Sequence, residues 1–117
     1  MEYKKDIKDW TLDFGVLMIK FSIELKKNGV DLDVVSQIRR SGTSVGANVR
    51  EAKASSSRKE LVRFYDIALR SANETGYWLE IIKKGYDYDS KRAQEVKNEL
   101  EQIEKVLAKI IVNLKKV

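Results

Sequence analysis

The chemically reactive side chains of this sequence are mainly carboxylates, hydroxyls, amides and basic groups, because it contains no histidine and no cysteine. It therefore has no thiol nucleophile, no imidazole acid or base, and no His or Cys ligands for zinc, haem or iron–sulfur clusters. Glu51 and Glu74 are the best remaining acid/base or metal candidates. Di-metal sites in helical bundles, however, combine glutamates with Glu-x-x-His motifs. We expect no catalytic residues, no metal and no cofactor, and a protein that is not an enzyme.

A line of polar side chains, here called the polar seam, follows one face of the second of four predicted helices. On a helical wheel its members fall within roughly 60° of the first of them. The members are Gln37, Arg40, Ser44, Asn48 and Glu51, with Glu74 of the third helix as a partner. We interpret the seam as inter-helix hydrogen bonds from Arg40, Asn48 and Glu51 to the third helix, because buried polar groups need partners. A ligand pocket and a plainly exposed polar line are the alternatives.

Basic side chains concentrate between the second helix and the first half of the third. Within residues 39–70 only Glu51, Glu60 and Asp66 are acidic. The predicted basic rim consists of Arg39, Arg50, Lys53, Arg58, Lys59 and Arg63. A turn at 55–57 is expected to gather all of these except Arg39 at one end of the protein, where they would neutralise phosphates of RNA or DNA. The alternative is a solvated helix face with ordinary i,i+4 ion pairs.

Four helical segments must position these groups, at about 9–27, 33–53, 58–84 and 91–115. The chain contains no proline, and the last segment keeps an almost strict heptad pattern of apolar residues. Short connections between amphipathic helices favour antiparallel packing. The sequence predicts an all-α, up-and-down antiparallel four-helix bundle, in a single domain over 1–117. Glycines inside the second helix, among them Gly46, indicate close approach of a neighbouring backbone.

The net charge of the chain and the length of its apolar runs indicate which partners are possible and where in the cell the protein is expected. The formal net charge is +5 at a pI near 9.4, which permits an acidic partner such as nucleic acid without requiring one. No stretch resembles a signal peptide or approaches the roughly 20 apolar residues of a membrane span. We expect a cytoplasmic protein that does not bind membranes.

A central motif resembles that of a known family. It runs Gln37-Ile38-Arg39-Arg40, then Ser44-Val45-Gly46-Ala47-Asn48-Val49, then Glu51, and it continues through Ser57-Arg58-Lys59-Glu60. This resembles the signature of bacterial four-helix bundle proteins named for reading frames within intervening sequences of 23S ribosomal RNA genes, which also carry a ribosomal-protein label. The chain departs at Ala52, where the family typically has glycine.

The resemblance implies an up-and-down bundle that forms ring-shaped homo-oligomers, with a pentamer favoured. The family's fold is similar to that of a retroelement accessory protein that partners a reverse transcriptase and nucleic acid. By this analogy of fold we expect a homo-oligomer that binds RNA or DNA through the basic rim. The alternative is a protein-interaction scaffold with no nucleic-acid role. Its surface would be apolar and exposed, with four tyrosines as candidates: Tyr65, Tyr77, Tyr86 and Tyr88.

Overall fold

The computed structural model describes residues 6–116, so the ends of the predicted 1–117 domain lie outside the described residues. Four helices occupy this range: α1 Ile7–Lys27, α2 Leu32–Ala54, α3 Arg58–Gly85 and α4 Lys91–Lys115. All four predicted segments are confirmed within two residues. The first helix begins earlier than expected because the Asp6 side chain accepts a hydrogen bond from the Lys8 backbone N–H at 2.7 Å and caps it.

The helices pack in chain order around a square. The second helix contacts α1 and α3, and α4 contacts α3 and α1, while the diagonal pairs have no Cα atoms within 8 Å of each other. The helices α1 and α2 are antiparallel: Thr11 lies beside Gly46, and the later residue Met18 lies beside the earlier residue Gly42. The all-α, up-and-down antiparallel four-helix bundle predicted from the sequence is confirmed.

The core consists of apolar side chains from all four helices. Its largest fully buried members are Phe14, Met18, Phe21, Leu25, Ile38, Ile82, Ile103 and Leu107. Two buried threonines satisfy their hydroxyls within the core: Thr11 donates to the Ile7 carbonyl at 2.8 Å, and Thr75 donates to the Ser71 carbonyl at 2.8 Å. Burial of this apolar surface, at about 25 cal/mol per Å², is the main force holding the helices together.

Glycine 46 sets the distance between α1 and α2. A Cβ atom at this position would lie 2.7 Å from the carbonyl oxygen of Thr11 and 3.0 Å from its carbonyl carbon. A Cβ at Gly42 would meet only the flexible side chain of Met18, with Cγ at 2.5 Å. The backbone approach predicted from the small residues of α2 is therefore confirmed, and it is tightest at Gly46.

The loop between α3 and α4 is held by tyrosine hydroxyls. The Tyr86 hydroxyl donates to the Asp31 carboxylate at 2.5 Å, and that of Tyr88 donates to the Glu24 carboxylate. Burial raises the pKa of Tyr88, and the hydrogen bond to Glu24 raises it further. Tyr65 is buried in the core, so of the four tyrosines proposed as an exposed apolar surface only Tyr77 is exposed. The prediction of a tyrosine surface is wrong for the other three, because their rings pack against the core or their hydroxyls are held by hydrogen bonds.

Candidate nucleic-acid interface

Five of the six predicted rim residues meet at one end of the bundle. Arg50 and Lys53 lie in the last turns of α2, and three others lie in the first turns of α3. The helix termini add further lysines that the sequence analysis did not include. We call the combined set the basic end: Arg50, Lys53, Arg58, Lys59 and Arg63, with Lys8 of α1, Lys109 and Lys115 of α4, and Lys116. These extra lysines are distant in sequence, and only the antiparallel topology brings them to the same end.

Arg39 lies outside this cluster. It precedes Arg50 by eleven positions on the same helix, which at 1.5 Å per residue places the two Cα atoms about 16 Å apart along the axis. The two residues share a face of α2 because eleven residues correspond to about three turns. Arg39 therefore belongs to the opposite half of the bundle.

Contacts within the protein occupy some of the basic end. Lys53 Nζ lies 3.7 Å from an Asp6 carboxylate oxygen. The Arg58 guanidinium donates to the carbonyl oxygens of Leu114 and Lys116 at the C-terminus of α4. Arg58 thereby satisfies carbonyl groups that have no partner within the helix, so its first role is structural.

Lys115 Nζ lies 3.8 Å from an Asp66 carboxylate oxygen. Among the described residues, the other six basic side chains of the end are free for an outside anion. Within residues 6–116, Arg50 and Lys59 make no ion pair or hydrogen bond through their side chains and are exposed. The Arg63 guanidinium lies 5.3 Å from the centre of the Phe64 ring and is also exposed. A cation–π contact of this kind leaves the guanidinium donors available to phosphate.

Charge is distributed unevenly along the bundle axis. In the half that carries the basic end, formed by residues 6–16, 44–70 and 104–116, basic side chains outnumber acidic ones. In the other half, formed by residues 17–43 and 71–103, the two balance. The positive potential of the described residues is therefore greatest at the basic end, which gives a polyanion a preferred side of approach.

The polar seam is a shallow surface groove between α2 and α3. Ser44 and Asn48 are half-buried, whereas its four longer side chains are exposed: Gln37, Arg40, Glu51 and Glu74. The groove is lined by Gln37, Arg40, Ser41, Thr43, Ser44, Ala47, Ser71 and Glu74. Its floor is polar and open to solvent.

Hydroxyl groups, not the charged side chains, join α2 to α3 beneath this groove. The Ser71 hydroxyl donates to Ser44 Oγ at 3.0 Å, and the hydroxyl oxygens of Thr75 and Ser41 lie 3.0 Å apart, within hydrogen-bond distance. Asn48 donates to the Ser44 carbonyl of its own helix at 2.9 Å. The hydrogen bonds predicted from Arg40, Asn48 and Glu51 to α3 do not form among the described residues, because short hydroxyls suffice where the helices are close. Every buried side-chain N or O atom of the described residues has a partner.

An apolar stripe on the outside of α1 was missed from the sequence. It consists of Leu12, Val16, Ile19 and Ile23, between 41% and 52% exposed. Beside it, small residues of α1 and α2 line an apolar groove of about 390 Å³. We call these four residues the α1 stripe. These residues recur at steps of four, three and four, as the core residues of the same helix do. This spacing is the sequence pattern from which the stripe could have been identified.

The described residues hold no group of three or more histidine, cysteine, aspartate or glutamate side chains placed to share a metal ion. Glu74, one of the two carboxylates considered for acid/base chemistry, accepts a hydrogen bond from the Trp78 indole N–H at 3.3 Å. None of the described helices has the length and apolar character needed to cross a membrane.

Comparison with known proteins identifies the family. The sequence model described as 23S rRNA-intervening sequence protein matches residues 4–109. The chain belongs to this family. The resemblance of the central motif is thereby confirmed, since the match spans the motif, the first three helices and most of α4. No curated protein matches the chain.

A protein whose crystal structure has been solved has the same fold. The crystal structure of a protein with unknown function from the S23 ribosomal protein family of Bacteroides thetaiotaomicron VPI-5482, at 1.70 Å resolution, is 36% identical to this chain. The alignment covers 91% of this chain and 98% of that one, with a TM-score of 0.84. The four-helix bundle is therefore shared across nearly all of the Bacteroides chain.

Proposed function

We propose that this 23S rRNA-intervening sequence family protein is a non-catalytic, cytoplasmic homo-oligomer that binds RNA or DNA through its basic end. The observation that carries the proposal is the exposed, unpaired state of Arg50 and Lys59, next to Arg63, in the positive half of the bundle. Phosphate contacts of this kind position a nucleic acid without reading its sequence. Binding with little sequence preference is the expected mode, and a pentamer is the assembly that the family resemblance favours.

Oligomerisation strengthens the proposal by multiplying weak contacts. A single basic end offers only a few free cations, whose exposed contacts with phosphate are individually weak and screened by salt. A ring presents several such ends to one polyanion, so later contacts form at high effective concentration. The salt dependence of binding then reports how many phosphates the assembly neutralises.

Neutralising the free cations of the basic end tests the proposal. We expect the triple variant Arg50→Gln, Lys59→Gln, Arg63→Gln to bind RNA and duplex DNA more weakly and with a flatter salt dependence. With about 0.9 counterion released per phosphate contact on duplex DNA, losing three contacts flattens the slope of log K against log[salt] by about 2.7 for each engaged copy. Fluorescence anisotropy with labelled oligonucleotides at several salt concentrations measures both the affinity and the slope.

A matched control removes the same charge from the other end of the bundle. Lys83→Gln, Lys91→Gln and Lys97→Gln neutralise three exposed lysines in the half where charges balance, and this variant is expected to keep the wild-type slope. Equal losses in both variants would mean that net charge, rather than the basic end, drives binding. If the wild-type protein shows no affinity for either nucleic acid at low salt, the proposal is wrong.

A protein-interaction scaffold is the second candidate function, and the α1 stripe favours it. Exposed apolar patches of this kind mark interaction surfaces. The scaffold hypothesis requires that the stripe stay uncovered in the oligomer and that a polypeptide partner remain bound after nuclease treatment. Retention of such a partner, together with loss of the partner on Val16→Glu substitution, would support the scaffold over the nucleic-acid role.

A further inference from the structure

The α1 stripe is the largest group of exposed apolar side chains among the described residues. Leu12 is 50% exposed, Val16 48%, Ile19 41% and Ile23 52%. The opposite face of the same helix is buried in the core, so α1 carries apolar residues on two sides. A helix that is apolar on two sides requires a second packing partner.

A second stripe with the same spacing lies on the outside of α3. It runs Arg70, Glu74, Tyr77 and Ile81, again at steps of four, three and four. The C-terminal half of this stripe is apolar, with Tyr77 57% exposed and Ile81 half-buried. We call these four residues the α3 stripe. Because α2 lies between α1 and α3, the two stripes occupy different sides of one molecule.

The two stripes are level along the bundle axis. Gly46 lies beside Thr11, which places Ser44 of the antiparallel α2 level with position 13 of α1. The hydrogen bond between Ser44 and Ser71 then places position 13 level with position 71 of α3. This gives an offset of 58 between levels on α1 and levels on α3, which runs in the same direction. The contact of Met18 with Gly42 and that of Ser41 with Thr75 give 56. Within about half a helical turn, each member of the α1 stripe is therefore level with a member of the α3 stripe: Leu12 with Arg70, Val16 with Glu74, Ile19 with Tyr77, and Ile23 with Ile81.

Charges beside the stripes are complementary in the same register. Along the exposed flank of α1, Asp9 and Asp13 come first and Lys20 and Lys27 follow. Along the exposed side of α3 the order is reversed over most of the helix: Arg63 and Arg70 come first, with Asp66 between them, and Glu74 and Glu80 follow before Lys83 and Lys84. Two copies aligned side by side and pointing the same way therefore bring Asp13 near Arg70 and Lys20 between Glu74 and Glu80.

We propose that the α1 stripe of one copy packs in parallel on the α3 stripe of the next copy. This inference rests on the proposed homo-oligomer and names its interface. The contact joins two different surfaces, so it is head-to-tail and closes into a ring when the rotation between copies allows. Because all copies point the same way, every basic end lies on the same face of the assembly. The long side chains of Arg70 and Glu74 cover Leu12 and Val16 with their aliphatic stems.

Cysteine cross-linking tests the interface directly, because the chain has no cysteine of its own. The double variant Ile19→Cys, Tyr77→Cys places thiols on both sides of the proposed contact. Within one molecule these positions lie on α1 and α3, which have no Cα atoms within 8 Å, so an intramolecular disulfide is excluded. On mild oxidation we expect a ladder of covalent oligomers that ends at the number of copies in the ring.

The single variants are the controls, and each alternative has its own signature. Neither Ile19→Cys nor Tyr77→Cys alone is expected to form covalent dimers. A covalent dimer of the Ile19→Cys variant would show that α1 pairs with α1, which overturns the head-to-tail contact. An oligomer by light scattering whose double variant gives no ladder would place the interface elsewhere and leave the homo-oligomer intact. A monomer mass at all concentrations would refute the homo-oligomer proposal and this inference together.

A charge exchange provides an independent test. Lys20 and Glu74 lie within about one helical turn of each other across the proposed contact. Glu74→Lys alone is expected to weaken self-association about tenfold, because it places a lysine near Lys20 of the neighbour. The double variant Lys20→Glu, Glu74→Lys restores the pairing and is expected to recover most of the loss in sedimentation experiments. An equal loss in the single and double variants would show that the two residues do not meet.

Discussion

Substitution of Gly46 by alanine tests the account of how α1 and α2 pack. Glycine within a helix costs about 1 kcal/mol relative to alanine, so propensity alone predicts that Gly46→Ala stabilises the protein. The structure predicts the opposite, because the new Cβ would lie 2.7 Å from the Thr11 carbonyl oxygen and 3.4 Å from the Leu12 nitrogen. Both are backbone atoms, which cannot rotate away. Relief requires α1 to move by about half an ångström, and overpacking of this kind costs about 1–3 kcal/mol.

The net effect is a loss of up to about 2 kcal/mol, and each kcal/mol lost lowers Tm by roughly 4 °C or more in a domain of this size. Urea unfolding followed by circular dichroism, at one fixed protein concentration, measures it. Gly76→Ala is the control, because its Cβ would meet only Leu100 Cδ2 at 3.6 Å, an ordinary contact. That variant is expected to gain up to about 1 kcal/mol from propensity. A Gly46→Ala protein as stable as the Gly76→Ala protein would refute the close-approach argument.

Two further predictions concern single side chains. The Ser57 hydroxyl accepts a hydrogen bond from the Glu60 N–H at 3.1 Å, so Ser57→Ala is expected to cost about 1 kcal/mol in urea unfolding, whereas Ser56→Ala, which removes no such bond, is expected to cost nothing measurable. Burial, with repulsion from Glu101, raises the pKa of Glu104. A raised folded-state pKa gives stability that is present at low pH and lost as pH rises, so Glu104→Gln is expected to raise Tm at pH 7 but not at pH 3. An equal rise at both pH values would point to packing instead.

The fold was predictable because local patterns agreed with one another. Apolar periodicity, the Ser57 cap with Glu60 three residues on, and the absence of proline all indicate the same four helices. The close approach at Gly46 was also predictable, since glycine inside a helix needs a compensating contact. Family membership followed from the motif between Gln37 and Glu51.

The candidate site was less predictable, for reasons of geometry. The turn at 55–57 correctly predicted that Arg50, Lys53, Arg58, Lys59 and Arg63 meet without Arg39, but not that lysines at the start of α1 and the end of α4 join them, because these are distant in sequence. Periodicity likewise shows that a face is apolar without showing whether the core or a neighbour covers it, which is why the α1 stripe was missed. The predicted pairing of Asn48 with α3 is wrong because the Ser44 and Ser71 hydroxyls already bridge the helices.

The salt dependence of nucleic-acid binding by the assembled protein tests the central claim most directly. If the basic ends of several copies share one face, the slope of log K against log[salt] for duplex DNA must be steeper than about −5.4, the value that the six free cations of one copy supply at about 0.9 per phosphate contact. The account predicts a steeper slope, which falls back when Arg50, Lys59 and Arg63 are neutralised. A wild-type protein whose affinity does not change with salt, or that does not bind at all at low salt, would contradict it.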